Sequence, residues 1–408
     1  MTVSSFDPMR SIAAIRHEFG EHGGVNMSVE VSTTFTVMKA SVMPDIFHGL
    51  LGPDNAGCYL YGRHYNPTVY ALARQLAAME NTEFAYCTAS GMSAIAATIF
   101  QLCKAGEHVV ASDTLYGGTY ALLHNFLPER SGERTTFVDI NDLAAVEKAF
   151  TRQTRVLYVE TMANPTLEIA DLPALAKIAH KHGAALVVDN TFSPLIVTPA
   201  LHGADVVIHS MTKYISGSSD MIAGVVCGNK EFISSMMDVT SGALMLLGPT
   251  MDPRLAFELS TRLPHLGVRV AEHSRRALAM AELCESRGVR VHYPGLKTHP
   301  HHQRLAGLRN EGYGWGGLFS LDLKTVERAN RFMEYLQNKR QFGFIAVSLG
   351  FTDTLMSVSA SSTSSEMSPE DLERAGISPG LLRISAGITG TLEQRLEQLG
   401  DAITETLG

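Results

Sequence analysis

Between residues 84 and 228 the chain repeats one pattern: a short run rich in Val and Ile, a longer stretch with helical spacing, then another such run. Strands that are apolar at every position have both faces buried, as in parallel sheets whose connecting helices cover the two sides. The pattern predicts an α/β layer around a mainly parallel seven-stranded sheet, with strands at 84–88, 108–112, 135–139, 155–160, 184–189, 205–209 and 222–227. Helices are expected at 91–103 and 173–182, the second capped by Asp171 and stopped by Gly183. Ligands of such sheets sit beyond the carboxyl ends of the strands, so Asp113, Glu160, Asp189 and Ser210 fall where chemistry is expected.

A chain of 408 residues exceeds what one core usually organises. Residues before 61 are irregular and punctuated by turns such as Gly52-Pro53-Asp54-Asn55. From about Thr250 the alternation gives way to amphipathic helices at 252–287 and 325–341 and a Ser/Thr-rich stretch at 357–365. The expected division is an N-terminal arm and entrance loop (1–60), a large α/β domain (61–255) and a smaller α+β C-terminal domain (256–408). A formal charge of −8 without a basic cluster argues against nucleic acid or membrane partners. Five scattered cysteines, never in a C-x-x-C pair, and no unbroken apolar leader fit a cytoplasmic protein with reduced thiols.

Three segments carry chemistry. The run from Asp205 ends in Ser210-Met211-Thr212-Lys213, which sets an amine beside two hydroxyls at a strand end. Partial desolvation there favours the neutral amine that condensation with an aldehyde requires. By itself Lys213 reads as an ordinary surface lysine. The strand Leu186-Val187-Val188 delivers Asp189 to its end, where an acid would keep a pyridine nitrogen protonated; a cap or a metal ligand is the plainer alternative. Ala89-Ser90-Gly91-Met92-Ser93 opens a helix after the first strand, so its backbone N–H groups could receive a phosphate, with Ser210 and Thr212 completing the cradle. The same residues also read as a simple Ser cap.

Phosphate turn, acid and Ser210-Met211-Thr212-Lys213, in this order, resemble the Cys/Met-metabolism enzymes that use pyridoxal 5′-phosphate (PLP), the cystathionine γ-synthase family of fold-type I. Within it the chain is most similar to plant-type methionine γ-lyases, from His17 to Glu393. The resemblance implies the fold-type I transferase fold and PLP carried on Lys213. Tyr61-Gly62-Arg63 matches a pair that reaches a neighbouring subunit's cofactor phosphate, which implies a homodimer sharing active sites and a homotetramer built from two such dimers. Thr114-Leu115-Tyr116-Gly117-Gly118 matches the segment whose tyrosine stacks on the ring and can protonate a leaving thiolate. Asn164 is implied at the cofactor 3′ oxygen and Thr191 beside Asp189, while Ser348 and Arg383 are implied at the substrate carboxylate. Arg383 alone reads as a surface ion pair, and Tyr61 and Arg63 as loop residues.

The activity implied is γ-elimination on methionine, giving methanethiol, 2-oxobutyrate and ammonia; γ-replacement on an O-acylhomoserine is the alternative. A catalytically silent PLP-fold module is disfavoured by the joint presence of Lys213, Asp189, Tyr116 and Arg383. Many bacterial methionine γ-lyases have cysteine where this chain has Gly118, and lysine beside the acid where it has Met237-Asp238. Gly118 is therefore expected to leave room beside Tyr116 for the substrate. No metal site is expected: His17 and His22 are five apart rather than four, and His299-Pro300-His301-His302 reads as a solvated loop.

Overall fold

The computed structural model describes residues 6–16, 19–362 and 368–407. Seven strands form the larger sheet: β1 (Phe84–Thr88), β2 (His108–Ser112), β3 (Arg134–Val138), β4 (Thr154–Glu160), β5 (Ala185–Asp189), β6 (Val206–Ser210) and β7 (Gly224–Gly228). Their order is β1-β7-β6-β5-β4-β2-β3, and only β7 runs antiparallel to its neighbours. The unbroken apolar runs are explained by burial on both faces: Leu186 and Val188 enter one core while Val187, between them, enters the other.

The expected helices form at Gly91–Leu102 and Leu172–Lys181; Asp171 caps the latter by accepting from Ala174 N, and Gly183 takes positive φ just past its end. The long helix expected over 252–287 is interrupted. Pro253–Arg262 and Leu266–Ser286 are separated by a 3₁₀ turn at Leu263–His265, because Pro264 has no N–H for the α-helical ladder. Val326–Asn338 is a single helix capped by Thr325. The arm expected over 1–60 is partly docked, since helix Pro8–Ile15 packs on helix Pro67–Met79 through Ile12, and Tyr313 donates to Asp7 Oδ1 at 2.6 Å.

A smaller sheet follows: β8 (Arg290–His292), β9 (Leu318–Asp322), β10 (Phe344–Ile345), β11 (Leu355–Val358) and β12 (Leu381–Ser385), ordered β10-β11-β12-β9-β8 and mostly antiparallel. Its apolar face packs under helices Leu266–Ser286, Val326–Asn338 and Leu392–Leu407 in a core of its own. Of the Ser/Thr-rich stretch, 357–358 belong to β11 and 363–365 lie outside the described residues. No helix among the described residues is long and apolar enough to cross a membrane.

Two glycines let helix Gly91–Leu102 dock against the sheet. A Cβ on Gly91 would lie 2.8 Å from Ser210 Cβ, and one on Gly224, in β7, only 2.2 Å from the Ser90 carbonyl oxygen. Backbone passes over backbone here, so the contact has little room to relax. Gly224→Ala is expected to destabilise the protein by roughly 1–3 kcal/mol, seen as a lowered midpoint in chemical denaturation; an unchanged midpoint would show that the turn at 88–91 yields freely.

Candidate active site

The carboxyl ends of the parallel strands open onto a cavity of about 420 Å³, a volume suited to a small cofactor and substrate. Ser90, Gly91, Met92, Tyr116, Asn164, Asp189, Thr191, Ser210, Thr212, Lys213, Ser348 and Arg383 all line it. Asp113 does not; it is buried, accepting from its neighbour Thr114. Tyr61 and Arg63 do not line it either. Arg63 donates to Met245 O at 2.6 Å and sits 5.7 Å from the ring of Tyr61, which is exposed.

Lys213 follows β6 in a tight turn and donates to Ser348 Oγ at 2.9 Å. Burial, then the charge of Arg383, lowers its amine from 10.5 to about 8. Ser348 holds φ at +92°, a strained value for a residue with a side chain, and its carbonyl accepts from Arg383 Nη2 at 3.1 Å. Arg383 also donates to Asn164 Oδ1 at 3.1 Å and to Ser357 Oγ at 3.4 Å. It is 2% exposed and, among the described residues, has no carboxylate in ion-pair contact; the surface ion pair that Arg383 alone suggested is not what the structure holds.

Asp189 is half-buried at the end of β5, with its carboxyl on the cavity wall. Burial raises its carboxyl, while hydrogen bonds from Thr191, including Thr191 N at 3.0 Å, pull it back down. Thr191 Oγ1 accepts from Ser210 N at 2.8 Å, which pins the ends of β5 and β6 together. Ser90 caps its helix by accepting from Ser93 N at 3.0 Å, so the plain reading of this residue is realised and the cavity lining with it. The N–H groups of Gly91 and Met92 open that helix without intrahelical acceptors. Thr212 Oγ1 is held by Ala223, accepting from its N at 3.0 Å and donating to its O at 3.3 Å.

The room expected over Gly118 is not open. A Cβ there would meet Tyr116 Cε1 at 2.6 Å and Met92 Sδ at 3.3 Å, so the Tyr116 ring itself lies against the glycine. Gly118 shapes the seat of Tyr116 rather than a pocket for the substrate. His299 is likewise not in a solvated loop: it is buried, His301 Nδ1 accepts from Ile169 N and His302 Nδ1 contacts Pro294 O. No group of three metal-ligating side chains occurs among the described residues; His17 and Glu18 lie outside them. Sequence reasoning placed Glu160 at the site without a role and missed Ser357, Tyr158, whose hydroxyl lies 3.4 Å from Asp189 Oδ2, and the buried pair His209–Glu80 at 2.7 Å on the far side of the sheet. A polar residue inside an apolar strand, such as Tyr158 or His209, was the available signal.

The family model for Cys/Met metabolism PLP-dependent enzymes matches residues 11–402. The chain belongs to this family. It is 57% identical over 403 residues to a methionine gamma-lyase of Arabidopsis thaliana, covering 98% of this chain and 91% of that one. It is 40% identical to an O-succinylhomoserine sulfhydrylase of Pseudomonas aeruginosa, covering 90% and 88%. Among solved structures, a putative O-acetylhomoserine (thiol)-lyase of Campylobacter jejuni carrying N′-pyridoxyl-lysine-5′-monophosphate superposes with a TM-score of 0.89 at 26% identity, covering 98% and 100%. The fold is that of the fold-type I PLP enzymes, and the cofactor is PLP.

The donor set fits that cofactor. A helix N-terminus brought close by Gly91 offers N–H groups to a phosphate, a neutralisable amine offers itself to an aldehyde, and a half-buried acid, without an ion-pair partner among the described residues, suits a protonated pyridine. In the cofactor-free enzyme, acetic anhydride should label Lys213 with a rate that climbs through about pH 8, read from the mass of its peptide at a series of pH values. A climb near the ordinary lysine range instead would mean that burial does not hold the amine down.

Proposed function

We propose that this PLP enzyme catalyses γ-elimination of L-methionine to methanethiol, 2-oxobutyrate and ammonia. The observation that carries the reading is the guanidinium of Arg383, buried without an acidic partner among the described residues, in the same cavity as Lys213 and Asp189. An amino acid's carboxylate complements it. The choice of methionine rests on the similarity to the Arabidopsis methionine gamma-lyase and on the apolar part of the lining, Met92, Phe192 and Ile222.

When bound, PLP supplies an aldehyde that joins the substrate amine and a ring that accepts the electrons released at Cα. The chain's residues do the rest. Gly91, Met92, Ser90, Ser210 and Thr212 would hold the cofactor phosphate, Asn164 would contact the 3′ oxygen, and Asp189, oriented by Thr191, would keep a proton on the ring nitrogen. Arg383 and Ser348 fix the carboxylate so that the Cα–H bond faces Lys213. Nζ of Lys213 takes the Cα proton, which the bound cofactor would then accept, and, neutral again, takes one from Cβ. The Cγ–S bond breaks with its electron pair going to sulfur, and the Tyr116 hydroxyl protonates the departing methanethiolate. One water is consumed as ammonia and the keto acid form.

Tyr61 and Arg63 act on the cofactor phosphate of a second subunit, in a homodimer that pairs into a homotetramer. Their positions away from their own chain's cavity support this. The enzyme works in the cytoplasm. The chain divides into an arm (1–60), a PLP-binding domain (61–255) and a C-terminal domain (256–408); the core under the smaller sheet supports the last of these, while Ile12 of the arm and residues such as Leu259 and Leu266 share the core of the large sheet. A second reading, γ-replacement on an O-acylhomoserine, is favoured by the likeness to the Pseudomonas sulfhydrylase.

Product analysis separates the two: methionine alone should yield 2-oxobutyrate and methanethiol, and their absence, with efficient γ-substitution on O-acetylhomoserine plus a thiol, would select the second. Borohydride reduction of the holoenzyme should leave cofactor mass on the Lys213 peptide, and Lys213→Ala should abolish turnover. Arg63→Ala should weaken cofactor retention by roughly 1.5–3 kcal/mol. Verified hybrids of Arg63→Ala with Lys213→Ala subunits should recover activity, and failure to do so would assign Arg63 to its own subunit.

A further inference from the structure

Glu160 ends β4 directly beside Asp189, its register partner on β5. It is buried, and among the described residues no Lys, Arg or His forms an ion pair with it. What it holds instead is two backbone N–H groups from different loops: Oε1 accepts from Tyr116 at 2.7 Å and Oε2 from Asn164 at 3.0 Å. Asn164 in turn accepts from Arg383 Nη1. Glu160 therefore sits midway along a hydrogen-bonded chain from the backbone that carries the Tyr116 ring to the guanidinium.

Gln cannot make the same pair of bonds. Gln presents one oxygen and one NH₂, so one of the two N–H groups would face another donor. Burial, then the charge of Asp189, raises the Glu160 carboxyl above the usual carboxylate range, and the two N–H bonds pull it back down.

Resting on Tyr116 as proton donor and Arg383 as carboxylate anchor, we propose that Glu160 is a positioning residue that sets the spacing between them. The acid then meets the γ-substituent whenever the carboxylate is bound.

The leaving group tests this. Methionine expels a thiolate that needs a proton, whereas O-acetylhomoserine expels acetate, which does not. In the holoenzyme, Glu160→Gln should lower the ratio of 2-oxobutyrate release from methionine over that from O-acetylhomoserine by roughly tenfold or more. Tyr116→Phe should add little to that loss when combined with it, because the two act through one group. Independently of turnover, the visible circular dichroism of the bound cofactor should weaken while PLP is retained, since the Tyr116 ring is no longer held in place. Equal losses on both substrates with unchanged dichroism would make Glu160 a merely structural acid and overturn the proposal. Glu160→Asp, which keeps the carboxyl on a shorter arm, carries the same test if the Gln variant does not fold. Wild-type enzyme that releases no 2-oxobutyrate from methionine overturns the methionine reading alone, and the clamp then stands or falls on the dichroism.

Discussion

The guanidinium of Arg383 joins the two sheets. It lies on β12 of the smaller one and donates to Asn164, in the loop that follows β4 of the larger one. Lys213 and Ser348 make a second link of the same kind, from the end of β6 to the segment before β11. A buried cation without a carboxylate is costly, and here its hydrogen bonds go to a side-chain amide, a carbonyl and a hydroxyl, which hold it in place without neutralising it. The charge is left for a ligand, and it adds to the burial that lowers the proton affinity of Lys213.

The parallel sheet makes this possible. The parallel strands run in one direction, so Glu160, Asp189 and Ser210, which end three neighbouring strands, emerge at one edge of the sheet. Loops after β2 and β4 are then fastened to that edge through Glu160, and helix Gly91–Leu102 is brought to it by the absence of Cβ atoms at Gly91 and Gly224. Acids accumulate where no protein cation pairs with them, which suits a cofactor bearing its own ring cation.

The differences from expectation have local causes. Pro264 breaks a helix whose amphipathic spacing runs straight through it, because periodicity registers side chains and not a missing N–H. Gly118 looked like free space, since a sequence shows an absent side chain but not the neighbour that fills the volume; the Tyr116 ring does. His299 looked solvated in a run of histidines and is buried by the fold.

By itself the sequence determined the elements and the chemical groups. All seven strands of the large sheet lie within two residues of where the Val/Ile runs put them, and Lys213, Asp189, Thr191, Ser210 and Arg383 were legible from strand-end position or family resemblance. These are properties of short segments, in which side-chain spacing and backbone preference act locally. The tertiary structure decided which groups meet. Ser348 and Lys213 are 135 residues apart, and Arg383 and Asn164 are 219 apart. The two carboxylate oxygens of Glu160 bind loops that no local pattern connects. Burial, and with it the lowered proton affinity of Lys213 and the raised one of Glu160, arises only when distant segments exclude water from the same cavity.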